Sequence, residues 1–163
     1  MSAHVWRVHK QRYEATDATG SLLVSGRYHR GLDDFQSEDT FPALYTSLSP
    51  EISLAELVRH TDAATLPNLN NYRLTELAVT LQQVVDCTDP ERLGLTFHEM
   101  LESTSFYYTQ EIGAAVSSVG YEAARVTSAS RLGHNLVIFP NNLRSGSRIT
   151  VIGSRDPRLR IER

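Results

Sequence analysis

Arginines beside aromatic rings recur through the first sixty residues, and one carboxylate follows them. Val5-Trp6-Arg7-Val8, Ser25-Gly26-Arg27-Tyr28-His29-Arg30-Gly31 and Leu44-Tyr45-Thr46-Ser47 lead into Leu54-Ala55-Glu56-Leu57. Planar guanidinium groups suit phosphates and carboxylates. A fixed carboxylate stabilises positive charge as it develops. Together these residues fit an anionic, aromatic ligand in which a bond breaks with build-up of positive charge. A fourth fragment, Val126-Thr127-Ser128, adds a hydroxyl near the C-terminus.

Each residue also has an ordinary reading. Arg7, among strand formers, reads alone as a surface arginine more readily than as a ligand for phosphate or ribose. The glycines flanking Arg27 and Arg30 fit a turn as well as they fit close backbone approach to an anion. Tyr45 fits a core-edge tyrosine or a platform for a flat heterocycle. Glu56 fits an i,i+3 pair with Arg59, worth a few tenths of a kcal/mol, or a buried catalytic carboxylate. Residue types alone leave these alternatives open.

The elements that must position these groups are legible in part. Residues 4–10, 43–48, 77–81, 121–128, 135–139 and 148–152 read as strands, as does the short run Leu22-Leu23-Val24. Ser49-Pro50-Glu51 opens a helix to about residue 60, with a capping serine, an early proline and an acid at the positive end of the dipole. A second helix is predicted over 105–119, ended by Gly120. Residues 15–21 read as turns, 32–42 as an acidic loop and 67–71 as a loop, while 89–103 carries no clear period. Helices and strands mix without a βαβα rhythm. The fold class is therefore α+β, one domain over residues 1–163, with a twisted mixed or antiparallel sheet flanked by helices.

Composition narrows the function. The 163 residues carry a net charge of −3, which exerts no general pull toward nucleic acid or membrane. No run approaches the eighteen apolar residues of a membrane span, and the polar N-terminus is unlike a signal peptide. Cys87 is the single cysteine, which fits a reducing cytoplasm. Fifteen of the sixteen basic residues are arginine; genome base composition explains this as readily as anion binding. Neither GxGxxG nor GxxxxGK[ST] occurs, so a bound nucleotide must be held by arginines. His98-Glu99 lacks the second histidine of HExxH, there is no GxSxG elbow, and no metal site is expected. The arginine-rich tail over 155–163 reads as a solvated terminus.

In order along the chain, these fragments resemble the RES-domain family, named for an arginine, a glutamate and a serine. The resemblance runs through Val5-Trp6-Arg7, Gly26-Arg27-Tyr28, Leu44-Tyr45-Thr46-Ser47 and Ser53-Leu54-Ala55-Glu56. It resumes over residues 120–128 and at Asn135-Leu136-Val137-Ile138-Phe139-Pro140. The chain departs from the usual pattern at Ser25, at Tyr28-His29, in the longer acidic loop and at Thr127; Ser130 also competes with Ser128 for the serine role. These departures bear on substrate preference and partner docking.

The resemblance implies an ADP-ribosyltransferase-like fold and a bacterial toxin that depletes NAD, typically by phosphorolysis with inorganic phosphate as co-substrate. It implies inhibition by a cognate helix-turn-helix antitoxin. Arg7, Arg27, Tyr28, Tyr45, Glu56 and Ser128 would then line the NAD site. Arg7 and Arg27 would clamp diphosphate or admit phosphate, and Tyr45 would position the nicotinamide ribose. Glu56 would stabilise the oxocarbenium-like ribose, and Ser128 would hold a phosphate or sugar oxygen. Transfer of ADP-ribose to a protein, NAD hydrolysis and simple nucleotide binding are the competing functions. A homodimer is compatible with the sequence; membrane attachment and direct nucleic-acid binding are not expected.

Overall fold

The computed structural model describes residues 1–60, 66–102 and 104–160. Its strands are β1 (Ser2–Lys10), β2 (Leu44–Ser47), β3 (Tyr72–Thr80), β4 (Val84–Cys87), β5 (Ala123–Thr127), β6 (His134–Ile138) and β7 (Arg148–Arg155). The helices that frame the site are α1 (Pro50–His60), α2 (Phe97–Leu101) and α3 (Tyr107–Ser118).

One seven-stranded sheet runs in the order β4-β5-β6-β2-β1-β3-β7. Its pairings are antiparallel except for β4 against β5, which is parallel. The α+β, mixed-sheet expectation therefore holds. β1 pairs with β3 along its whole length, from Ser2 opposite Thr80 to Lys10 opposite Tyr72. It meets β2 at Trp6 opposite Ser47.

Both faces of the sheet are covered, and the period-2 alternation of strands divides the core between them. On one face Val5, Leu44, Leu77, Val79, Leu136 and Ile138 pack with Ala15 and Ala18 from the segment after β1. On the other, Ala124, Val126, Val137 and Phe139 pack with Tyr28, Ala43 and Cys87, and Ile112 and Val116 of α3 lie against them. Helix α1 covers that second face at β1, β2 and β3. Next to Ala123 of the first cluster, the fully buried Glu122 accepts the backbone N–H groups of Gln82, Gln83 and Arg144, tying the β3–β4 turn to the chain before β7.

Four sequence readings change. Leu22-Leu23-Val24 is not a strand: residues Thr19–Leu22 form a 3-10 turn, and Leu23 and Val24 are exposed. The run pairs with no strand of the sheet. β4 lies where no strand is predicted; its four residues pair in parallel, without the hairpin signal of an antiparallel neighbour. The unperiodic stretch contains α2, started by a reciprocal capping box between Thr96 and Glu99. The loop predicted over 67–71 lies in a 3-10 turn, Leu66–Asn71. The helix predicted over 105–119 spans Tyr107–Ser118, with Gly120 just beyond it at φ +88°. The end of the basic tail, 161–163, lies outside the described residues.

Candidate active site

The second face of the sheet opens into a cavity of about 550 Å³, within the usual range for small-molecule sites. Its floor crosses five adjacent strands and its walls come from α1, the 25–28 loop and Phe106. Arg27, Tyr28, Tyr45 and Glu56 all line it.

Glu56 projects from α1, and its Oε1 is gripped from several directions. The Ser128 hydroxyl donates a short hydrogen bond to it, Asn135 Nδ2 donates from 3.2 Å and the Ser130 backbone N–H from 3.3 Å. A carboxylate oxygen only accepts, so the Asn135 amide must turn Nδ2 toward Glu56. Its Oδ1 is then left to accept from the Ser47 hydroxyl at 2.8 Å. By the same logic the Ser130 hydroxyl donates to Ser128 Oγ at 2.6 Å, since the Ser128 proton is committed to Glu56. Two hydroxyl-led chains therefore converge on one oxygen, an arrangement suited to an anionic carboxylate held in fixed orientation.

The same geometry reassigns Ser128. It is fully buried and absent from the cavity wall. Its hydroxyl donates to Glu56, whereas the resemblance implies a contact with a phosphate or sugar oxygen. Ser130 supports Ser128 instead of competing with it.

Arg27 reaches the cavity from the opposite wall. Its Nη1 donates to the carbonyls of Met100, at 3.1 Å, and Glu102, at 2.6 Å, beside the C-terminal end of α2. Its guanidinium lies 4.7 Å from the centre of the Phe106 ring, a cation–π contact that fixes the plane of the group. Burial lowers its pKa, the nearby Tyr28 and Glu56 oppose that shift, and the positive Arg59 adds to it. An arginine stays charged throughout. Arg59, exposed and one turn beyond Glu56, thus brings a second cation within electrostatic reach of Arg27.

Tyr45 and His29 lock the 25–31 loop in place. The Tyr45 hydroxyl accepts the Tyr28 backbone N–H at 2.8 Å and meets His29 Nδ1 at 2.9 Å, while His29 Nε2 meets the Val24 carbonyl at 2.9 Å. A carbonyl only accepts, so Nε2 carries the proton and Nδ1 accepts from Tyr45. With its hydroxyl satisfied on both sides, Tyr45 offers the cavity its ring. Burial raises the pKa of both Tyr45 and Tyr28, keeping the phenols neutral. Burial lowers that of His29, against opposing effects of the Val24 and Ser21 carbonyls and Asp33.

The glycines of this loop answer to packing. A Cβ on Gly26 would sit 2.4 Å from the His29 ring, and one on Gly31 would sit 2.6 Å from backbone of Val24 and Ser25. Gly113 of α3 plays the matching part: a Cβ there would come within 2.0 Å of the Tyr28 carbonyl oxygen. The helix thus seats directly on the backbone that carries Arg27 and Tyr28.

Arg7 does not join the site. It shares strand parity with the buried Val5, whereas Val8 faces the cavity, so Arg7 emerges on the opposite face. Its Nη1 donates to the carbonyls of Ala15, at 2.7 Å, and Asp17, at 2.8 Å, pinning the segment after β1. Arg30 is likewise structural, paired with Glu111 and resting 5.0 Å from the centre of the Phe35 ring. Sequence reasoning passed over Asn135, Ser47, Phe106 and Gln110; the last holds the Gly26 carbonyl through Nε2 at 3.1 Å. Asn135 and Ser47 stand within fragments already singled out, but only the register of β2 against β6 brings them opposite each other.

Among the described residues no group of three or more histidine, cysteine or acidic side chains could hold a metal, and no helix is long and apolar enough to cross a membrane.

Fold and site together define a class: an α+β domain with a mixed sheet, in which a serine-held carboxylate and an arginine line one cavity. The chain belongs to the RES domain family, whose pattern it matches over residues 4–162. Among solved structures it is similar to a chain in the crystal structure of the M. tuberculosis MbcT–MbcA toxin–antitoxin complex. The identity is 25%, the TM-score is 0.83, and the match covers 99% of this chain and 88% of that one. No curated protein matches the chain.

Proposed function

We propose that this chain is the toxin of a toxin–antitoxin pair and cleaves the nicotinamide–ribose bond of NAD, with inorganic phosphate as acceptor. The observation that carries the reading is Glu56, a carboxylate held through Oε1 by donors from β5–β6 and facing the same cavity as Arg27. Family membership and the similarity to a chain of a toxin–antitoxin complex support it.

In this mechanism the nicotinamide ring lies against the Tyr45 face. As the C–N bond breaks, its electron pair returns to the ring nitrogen and nicotinamide leaves neutral. Positive charge passes to the ribose carbon and its ring oxygen, as in glycoside cleavage. Glu56 stabilises that charge electrostatically and hydrogen-bonds a ribose hydroxyl. A prealigned carboxylate needs no reorganisation at the moment of reaction. A phosphate oxygen then bonds to the same carbon, giving ADP-ribose 1''-phosphate. Phosphate is already nucleophilic, so no strong general base is required. Arg27, with the Arg59 charge nearby, holds the diphosphate or the incoming phosphate. Arg7 has no part.

Such an activity must be silenced in the resting cell, so a helix-turn-helix antitoxin is the expected partner. Phosphorus NMR of NAD incubated with the protein, with and without phosphate, tests the reaction. A new phosphomonoester signal that requires phosphate supports phosphorolysis. ADP-ribose formed equally in both buffers makes the protein a glycohydrolase, label on protein makes it a transferase, and intact NAD overturns the enzymatic reading.

A further inference from the structure

The cavity floor is long in one direction. Val126 of β5, Asn135 of β6, Tyr45 of β2, Val8 of β1 and Tyr72 of β3 all line it, and these strands are consecutive neighbours in the sheet. Four strand spacings separate the first from the last, about 19 Å. The groups assigned to bond cleavage gather toward one side of this floor: Glu56 is anchored at β5 and β6, and Tyr45 stands on β2. The β1–β3 side lies beyond them and contains none of these groups.

Tyr72 is the aromatic residue of the far side. It opens β3 directly opposite Lys10, and Val8 lies opposite Leu74. Tyr72 therefore shares the sheet face of Val8, the face that bears the cavity, and is half-buried there. The apolar neighbours on this side are Val8 and Leu57. Ser53, also on this side, accepts the Val8 backbone N–H through its hydroxyl oxygen at 3.0 Å. A flat, weakly polar group is what such a surface takes up, and an aromatic side chain stacks on a base whatever its hydrogen-bonding edge.

We infer that Tyr72 forms a second base-binding subsite, which stacks the purine of a dinucleotide while its other nucleoside reacts beside Glu56. The inference rests on the reading of the site as one that cleaves NAD. It places the purine half of NAD on the β1–β3 side of the sheet face, with Tyr72 as a binding residue remote from the bond that breaks.

The test compares NAD with nicotinamide mononucleotide, which lacks the purine half, on wild-type protein and on Tyr72→Ala and Tyr72→Phe. Loss of one base–aromatic stack is expected to raise KM for NAD about tenfold or more. Both kcat and the handling of the mononucleotide should stay unchanged, and Tyr72→Phe, which keeps the ring, should behave as wild type. Equal loss with both substrates would show a merely structural role and overturn the subsite, as would an unchanged KM for NAD in a folded Tyr72→Ala protein. A wild-type protein that cleaves neither substrate would refute the NAD reading itself. In that case equilibrium binding of AMP to wild type and Tyr72→Ala still decides the subsite, weaker binding to the variant supporting it and equal binding overturning it.

Discussion

Asn135 Nδ2 lies 3.2 Å from Glu56 Oε1, on the same oxygen that the Ser128 hydroxyl engages. The two donors approach from β6 and from the chain just after β5, and Ser47 on β2 fixes the Asn135 amide in turn. The orientation of one helical carboxylate is thereby set by the register of three strands.

Removing either donor should loosen Glu56 without touching Arg27. For Ser128→Ala and Asn135→Ala we expect kcat to fall by one to two orders of magnitude, about 1.4–2.8 kcal/mol, with little change in KM. Steady-state kinetics on protein whose folding is verified by circular dichroism checks this. A rise in KM at constant kcat would instead mean that Ser128 or Asn135 contacts substrate.

The two family arginines should separate by phenotype. Arg7→Ala removes the clamp on the Ala15 and Asp17 carbonyls and should lower the thermal midpoint while leaving KM for NAD unchanged. Arg27→Ala removes cavity charge and should raise KM at least tenfold. Thermal melts and kinetics on both variants give the comparison, and an Arg7→Ala protein of wild-type stability with raised KM would restore Arg7 to the site.

Arg7 reads alone as a surface arginine and is drawn to the NAD site only by the family resemblance; strand parity sets the face it takes. Val5-Trp6-Arg7-Val8 puts β-formers on both sides of the sheet, and both faces are covered, so alternation alone does not reveal which face carries the cavity. The family pattern picked out Glu56, Arg27, Tyr28 and Tyr45, which line one cavity, while the helix alone left Glu56 between a pair with Arg59 and a buried carboxylate. The role of Ser128 was not, because its burial depends on how the chain after β5 folds under α1. Asn135, Phe106 and Tyr72 reach the cavity only through strand order and helix seating, which depend on contacts distant in sequence. Leu22–Val24 failed as a strand for a related reason: β-propensity is decided by the neighbours a segment packs against, and this run pairs with no strand.

His29 should make the site sensitive to acid. Burial holds its pKa below the ordinary value, so the neutral ring is the folded form. Stability from this group is complete above the unfolded pKa of about 6.5 and is lost as pH falls from there through the depressed folded value. A proton on Nδ1 would force the Tyr45 hydroxyl to surrender its acceptor and disturb the Tyr28 backbone. We expect kcat/KM to fall only as pH drops through the depressed folded value, below the ordinary imidazole range, and the acid limb to flatten in His29→Gln, measured as a pH–rate profile. An identical acid limb in His29→Gln would assign it to another group.

Gly113 tests the seating of α3. Its hypothetical Cβ meets the Tyr28 carbonyl oxygen at 2.0 Å, which backbone cannot evade without moving the loop. Gly113→Ala should cost about 1–3 kcal/mol in urea unfolding and weaken activity through displacement of Arg27. Gly94→Ala provides a contrast, since a Cβ there meets nothing within 4 Å and any cost comes from its φ of +68° alone; it should spare activity. Unchanged stability and turnover in Gly113→Ala would mean that α3 does not fix the loop.

The most direct measurement is NAD turnover in phosphate buffer by wild-type protein and by Glu56→Gln, an isosteric change that removes the charge and keeps the shape. Loss of one preorganised electrostatic contact should slow turnover by about a hundredfold or more, with NAD binding retained. Wild-type turnover by a folded Glu56→Gln protein would contradict the assignment of Glu56 as the group that stabilises the breaking bond.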